Sequence, residues 1–283
     1  MNQREYVKKE RMRVFLLKVE LEKTMMRDVK TYFARQRKRV KAGEEIKTIQ
    51  PVLQAHYQRI VRKLIHKNVK QANKIDEGIR RFLEGKSSER ANVIDNTTQG
   101  NYEDAIKEAR EVLAEEGNVN PTDRELMIIA SGIFYRKTRG RVSNIANGET
   151  QAIAEGLRRE ITLSAHSELE DVLLTGDKKK AEEIYELSGD YTSYKFKEKI
   201  DTGDIAVLST ILVTARKEWE NMGDGLVRKP PKSKFNHVAA GGQRVGIMEP
   251  FVVSGQMLMY PGDMSLGASI GNVARCRCVT LYL

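Results

Sequence analysis

From Val14 to Tyr32 the apolar residues Val14, Leu17, Leu21, Met25, Val29 and Tyr32 recur at spacings of three and four, with charged residues filling the positions between them. That period fits a helix and no strand, because side chains three and four apart lie on one side of a 3.6-residue turn. A chain that begins this way must build on long amphipathic helices. "KAGEE" at Lys41 interrupts the pattern, and a second helix is predicted beyond it, with Pro51 in its first turn and Leu53, Tyr57, Ile60, Leu64, Ala72, Ile75 and Ile79 as its stripe.

The polar stretch "EGKSSERANVIDNTTQGN", Glu84 to Asn101, holds no sustained period and reads as a connector. Helix resumes with Tyr102, Ile106, Ala109 and Leu113 on one face and a stop at Gly117. "NVNPTDRE" supplies the next start, with Asn120 as N-cap, Pro121 at the first helical position and Asp123 in the first turn. Further helices are expected at Glu149 to Ser167 and at Asp177 to Leu187, closed by Gly189. "YKFKEKI" from Tyr194 alternates like a strand, whereas Leu208, Ile211, Ala215, Trp219 and Met222 suit a helix or a strand equally. Beyond Gly223, glycine and proline become frequent, and "PFVVSG" and "QMLMY" read as short strands separated by turns.

The expected fold class is therefore α+β: mainly helical N-terminal and middle regions with long amphipathic helices, and a small C-terminal α+β domain with short strands. The expected boundaries are a basic long-helix region at 1–90, a connector at 91–101, a helical middle region at 102–205 and a C-terminal domain at 206–283. No stretch approaches the ~20 apolar residues that span a bilayer, and the charged N-terminus is unlike a signal peptide. A soluble protein in a reducing compartment is expected. No internal repeat, dinucleotide fingerprint or phosphate loop is present, so no cofactor is expected.

Charge is unevenly distributed. Of the net +10, residues Met1 to Arg90 carry +14, from 25 Lys+Arg against 11 Asp+Glu, and the remainder carries −4. The densest run, "YFARQRKRVKAG", places Arg35, Arg37, Lys38, Arg39 and Lys41 around Tyr32 and Phe33. Phosphate contacts there would be independent of base sequence and sensitive to salt, and an acidic protein surface is the alternative partner. Tyr32 and Phe33 fall on or beside the apolar stripe and are expected to pack rather than stack on bases.

The two cysteines, Cys276 and Cys278, leave three chemical readings open. With His237, and Asp263 as a fourth ligand, they could hold a metal, although Cys-x-Cys is tighter than the usual Cys-x₂₋₄-Cys pair of zinc sites. With His237 as base, either thiol could act as a nucleophile, aided by Arg275 and Arg277. The simplest reading takes both as small buried apolar groups and assigns no metal. A disulfide between them would be strained. His56, His66 and His166 read as surface or packing residues.

Taken in order, the C-terminal third carries "KEW" with Trp219, "GDGLVR" with Asp224 and Arg228, His237 followed by "AAGGQRV" with Gly242 and Gln243, "EPFVVSG" with Pro250 and Phe251, "LMYPGD" with Pro261, Gly262 and Asp263, and "RCRC" with Cys276, Arg277 and Cys278. This series, over about the last 70 residues, resembles the Mu F-like family of phage minor head proteins, also called head morphogenesis proteins. The family carries Asn before Cys-x-Cys where this chain has Arg275, and "KPPKSKFN" between Arg228 and His237 is longer than the family's link. The resemblance implies a non-enzymatic structural protein of a tailed phage, present in few copies inside the head near the portal and assisting assembly, DNA packaging or ejection. Implied partners are the portal, the major capsid protein and packaged double-stranded DNA, with no membrane; self-association is expected through the N-terminal helices. The implied location is the virion, and the host cytoplasm during assembly. Domains of this kind also occur joined to toxins, so a hydrolase or toxin-like enzyme using His237 and the cysteines is one alternative, and a sequence-independent DNA-binding protein acting through the basic N-terminal helices is the other.

Overall fold

The computed structural model describes residues 3–64, 77–175 and 215–283. Among them are seven helices, α1 (Gln3–Lys41), α2 (Gln50–Leu64), α3 (Glu77–Glu115), α4 (Asp123–Arg139), α5 (Val142–Thr175) and the single turns α6 (His237–Ala240) and α7 (Ile270–Val273). Five short strands complete the set: β1 (Arg216–Asn221), β2 (Arg244–Gly246), β3 (Phe251–Val253), β4 (Gln256–Leu258) and β5 (Cys278–Tyr282). The α+β class is thus observed. No helix among the described residues is long and apolar enough to cross a membrane. The helix expected at Asp177 to Leu187, the alternating run from Tyr194, and Ala72, Ile75, Leu208 and Ile211 lie outside the described residues.

Two compact units share this chain, and they interleave in sequence. One comprises Met1–Leu21, Arg59–Arg80 and Gly148–Leu283; the other comprises Glu22–Gln58 and Arg81–Asn147. The linear boundaries expected at 90, 101 and 205 therefore do not mark the compact units, because the long helices α1 and α5 each contribute to both.

In the unit of Glu22–Gln58 and Arg81–Asn147, the end of α1 packs with α3 and α4. Val40 joins Ala105, Ala109, Leu113, Leu126, Ala130, Ile133 and Phe134 in one apolar core. Tyr32 and Phe33 are buried edge-to-face, 5.1 Å between centroids, as packing rather than stacking residues. The expected connector at Glu84 to Asn101, with its 91–101 core, is instead the interior of the 39-residue α3. Its buried stripe is written in small and hydroxylic residues: Ser87, Ala91, Ile94 and Thr98 recur at helical spacing. Ser87 donates to the Glu84 carbonyl and Thr98 to the Ile94 carbonyl, so each hydroxyl is satisfied by its own helix. Asp95 accepts from the Ile49 amide and the Thr48 hydroxyl at the start of α2.

α3 ends before Gly117, which takes φ +86 as expected of a stop. The start of α4 lies two residues beyond the expected Asn120 cap. Thr122 accepts from the Glu125 amide while the Glu125 carboxylate accepts from the Thr122 amide, a reciprocal capping box that outcompetes the Asn-Pro signal.

The other unit centres on β5, all five residues of which are buried. β1 pairs antiparallel with both β2 and β5, giving the order β2-β1-β5, with Trp219 opposite Thr280. β3 and β4 form a separate hairpin whose central residues Ser254 and Gly255 both have positive φ, the type I′ requirement. α1 and α5 are tied to β5. Val14 packs with Val279 and Leu281, and fully buried Glu155 accepts from Lys18 Nζ at 2.8 Å, Arg158 at 3.2 Å and the Thr280 amide at 2.9 Å.

The stripes of α1 and α2 are therefore covered within the chain. Val14, Leu21, Met25, Val29 and Tyr32, and Leu53, Tyr57, Ile60 and Leu64, are all buried, which removes the sequence argument for self-association through these helices.

Candidate functional site

Trp219 is fully buried at the middle of β1, so the segment that suited helix or strand equally is a strand there. Phe251 meets its ring edge-on at 5.3 Å and His237 at 5.8 Å, within a core that also holds Val253, Leu258, Ala268, Val273, Cys276 and Cys278. Around this centre the sequence-predicted residues take up separate architectural tasks. Gln243 accepts from the Val252 amide at 2.7 Å and donates to its carbonyl at 3.2 Å, pairing with β3 as another strand would. Gly242, at φ +80, donates its amide to the Trp219 carbonyl at 2.8 Å.

Tyr260, Pro261, Gly262 and Asp263 form a turn closed by the Asp263 amide on the Tyr260 carbonyl, with Gly262 at φ +94. A side chain on Gly262 would also run into α5, 3.2 Å from the Ala152 backbone. The Asp263 carboxylate accepts from the amides of Met259 and Ser265, so it organises the turn rather than completing a metal set. Fully buried Lys217 donates to the Met259 carbonyl, and burial pushes its pKa down to about 8.

Arg228 caps the end of α7 by donating to the carbonyls of Gly271 and Ala274, while its own carbonyl accepts the His237 amide at 2.9 Å. The residues "KPPKSKFN" therefore leave Arg228 and His237 adjacent. Asp224 accepts from Arg277, whose guanidinium also lies 4.8 Å over the Phe15 ring, and that ion pair holds the Asp224 carboxyl below its usual range. Pro250 leads into β3.

Alternation places Arg277 outward and both cysteines inward. Cys276 and Cys278 are 3 % and 0 % exposed and His237 is 1 % exposed. The His237 Nδ1 lies 3.4 Å from Cys276 Sγ and 3.6 Å from Cys278 Sγ. All three potential ligand atoms fall within 4.8 Å of one another. On the far side of the ring, Nε2 lies 2.9 Å from Asn272 Oδ1, and Asn272 donates to the Val253 carbonyl and to Gln256 Oε1. Those donations fix the amide so that its oxygen faces Nε2, which must carry a proton, and Nδ1 is left facing the sulfurs.

Burial pushes both thiols up. For Cys276 the Cys278 and His237 contacts reverse this and leave its pKa well below that of a free thiol, and the resulting charge reinforces burial in raising Cys278. Burial alone would lower the His237 pKa, but the Cys276 contact outweighs it and raises it.

Asn272, Gln256, Lys18 and Glu155 carry essential contacts that no motif signals. Asn272 sits in "GASIGNVA", and its partners lie at 237, 253 and 256, too far along the chain for a local pattern. Of the other histidines, His56 is a buried packing residue; His66 and the His166 side chain lie outside the described residues.

No protein-family model, curated protein or solved structure matches this chain. Arg275, before the Cys-x-Cys pair, takes φ +52, a conformation that asparagine adopts more readily than arginine.

Proposed function

We propose that the chain is a minor head protein of a tailed phage, a non-enzymatic structural component of the virion that sits inside the head near the portal and assists assembly and DNA packaging or ejection. The observation that carries this reading is that the motif residues behind the resemblance act together as the framework of one module. Trp219 and Phe251 form its core, Gln243 and the Pro261–Gly262–Asp263 turn fix its loops, and Arg228 caps α7. Burial of His237, Cys276 and Cys278 fits a structural centre better than a nucleophile, which needs a route for substrate. Mass spectrometry of purified procapsids and mature heads from the source phage tests the proposal. The protein is expected in both at low copy number, and its absence from both refutes the reading.

The basic end of α1 is the proposed contact for packaged DNA or an acidic portal surface. Arg35, Arg37, Lys38 and Lys41 are exposed, whereas Arg39 is engaged with Glu44 and the Glu45 carbonyl. Residues 1–21 belong to the same compact unit as the C-terminal module, so removing the N-terminus would damage the fold; charge reversal in the full chain is the better test. Arg35→Glu, Arg37→Glu, Lys38→Glu and Lys41→Glu together should abolish salt-sensitive binding to duplex DNA, and unchanged binding would exclude this face.

A further inference from the structure

We propose that His237 Nδ1, Cys276 Sγ and Cys278 Sγ bind one thiophilic metal ion of the zinc class. The site is built from two places in the chain. His237 opens α6 beneath the Arg228 carbonyl, whereas Cys276 and Cys278 flank the outward-facing Arg277 at the start of β5. An ion here would bolt β5 to α6 behind Trp219, adding to the apolar packing of that core.

The sulfur–nitrogen spacings meet the coordination requirement, and the three ligand atoms, all within 4.8 Å of one another, need only draw together slightly around an ion. Zinc bonds of about 2.3 Å to sulfur and about 2.05 Å to nitrogen, opened to a tetrahedral angle, place sulfur and nitrogen about 3.6 Å apart. The two observed separations are 3.4 and 3.6 Å. The imidazole is presented correctly, because Asn272 occupies Nε2 and leaves Nδ1 directed at both sulfurs. Metal-bound histidines characteristically have such a partner on the other ring nitrogen. Asn272 is held in turn by Val253 and Gln256, so the ring orientation is set before any ion arrives.

Charge and ligand chemistry agree. Two thiolates and a neutral imidazole balance a divalent ion, which makes a buried centre neutral; on loading, the thiol protons leave for solvent and two metal–sulfur bonds form. Thiolate and imidazole together select zinc-class ions over magnesium or calcium, which require oxygen ligands. Among the described residues these three groups supply the ligands, and water can complete the coordination.

The test is metal analysis of the full-length chain after dialysis against zinc and passage over a desalting column. About one zinc per chain is expected in the wild type. His237→Gln, Cys276→Ser and Cys278→Ser should each reduce this to below about a tenth, whereas Arg277→Gln, altered between the two ligands but pointing away, should retain it. Because a ligand variant could fail to fold, the wild type is also loaded with cobalt, which should give a thiolate-to-metal charge-transfer absorption, and its Tm should rise with zinc and fall with chelator. Magnesium should change neither readout. A folded wild type that retains no zinc, shows no such absorption and has a Tm indifferent to zinc overturns the proposal. Retention of zinc by all three ligand variants overturns it equally, as adventitious binding elsewhere.

Discussion

The helical unit of Glu22–Gln58 with Arg81–Asn147 and the unit that holds the sheet satisfy their buried hydroxyls and amides differently. In the helices, the hydroxyls of Thr98, Thr138 and Ser131 donate to carbonyls three or four residues back, so each is satisfied where it stands. In the other unit, the side chains of Gln243 and Asn272, and of Gln151 and Glu155 on α5, reach partners on other elements, the last two more than a hundred residues along the chain. Loss of such a hydroxyl leaves its own helix carbonyl with the backbone bond it already has, although Thr98 also accepts from Arg141. Those in the second join separate elements, as Glu155 does for Lys18, Arg158 and the Thr280 amide.

The sharpest break of this contrast is Glu155→Ala. It strips the shared carboxylate from Lys18, Arg158 and the Thr280 amide, all at buried atoms, and is expected to cost about 3–5 kcal/mol in chemical denaturation. A loss below about 1 kcal/mol would mean that Lys18 and Arg158 reach water easily and that Glu155 is no anchor.

Gly262→Ala should follow, at about 2 kcal/mol, because the new methyl must hold φ +94 and meets the Ala152 backbone. Its loss should appear as a lower denaturation midpoint at unchanged slope. In the helical unit Thr98→Val should cost only about 1 kcal/mol, the value of one hydroxyl that serves its own carbonyl and Arg141. A Thr98 loss equal to that of Glu155 would erase the distinction between the two regions. The smallest effect is a gain: Arg275→Asn should add about 0.5 kcal/mol by placing a residue suited to positive φ at that turn.

The same difference explains what the sequence reveals. The β3–β4 hairpin, the Pro-Gly turn and the stop at Gly117 depend on neighbouring residues and are readable from them. So is the inward alternation of the two cysteines. The long course of α3 is not, because Ser87 and Thr98 serve as interior positions only when a neighbouring helix covers them, and composition alone makes them look like a linker. The role of Asn272 is equally hidden, since it is defined by His237, Val253 and Gln256 rather than by its own surroundings. The start of α4 was masked differently: two cap signals lie side by side, and the reciprocal Thr122–Glu125 pair prevails over Asn120.

The central claim is that the His237–Cys276–Cys278 centre is a sealed part of the framework and not a reactive site. Quantitative labelling with a thiol reagent tests it on the intact, full-length chain. The account predicts no thiol labelled under native conditions and two per chain once denaturant and chelator are added together, consistent with Cys276 and Cys278 both being free and buried. Rapid labelling of either cysteine in the folded protein would contradict it and return the centre to the class of accessible nucleophiles.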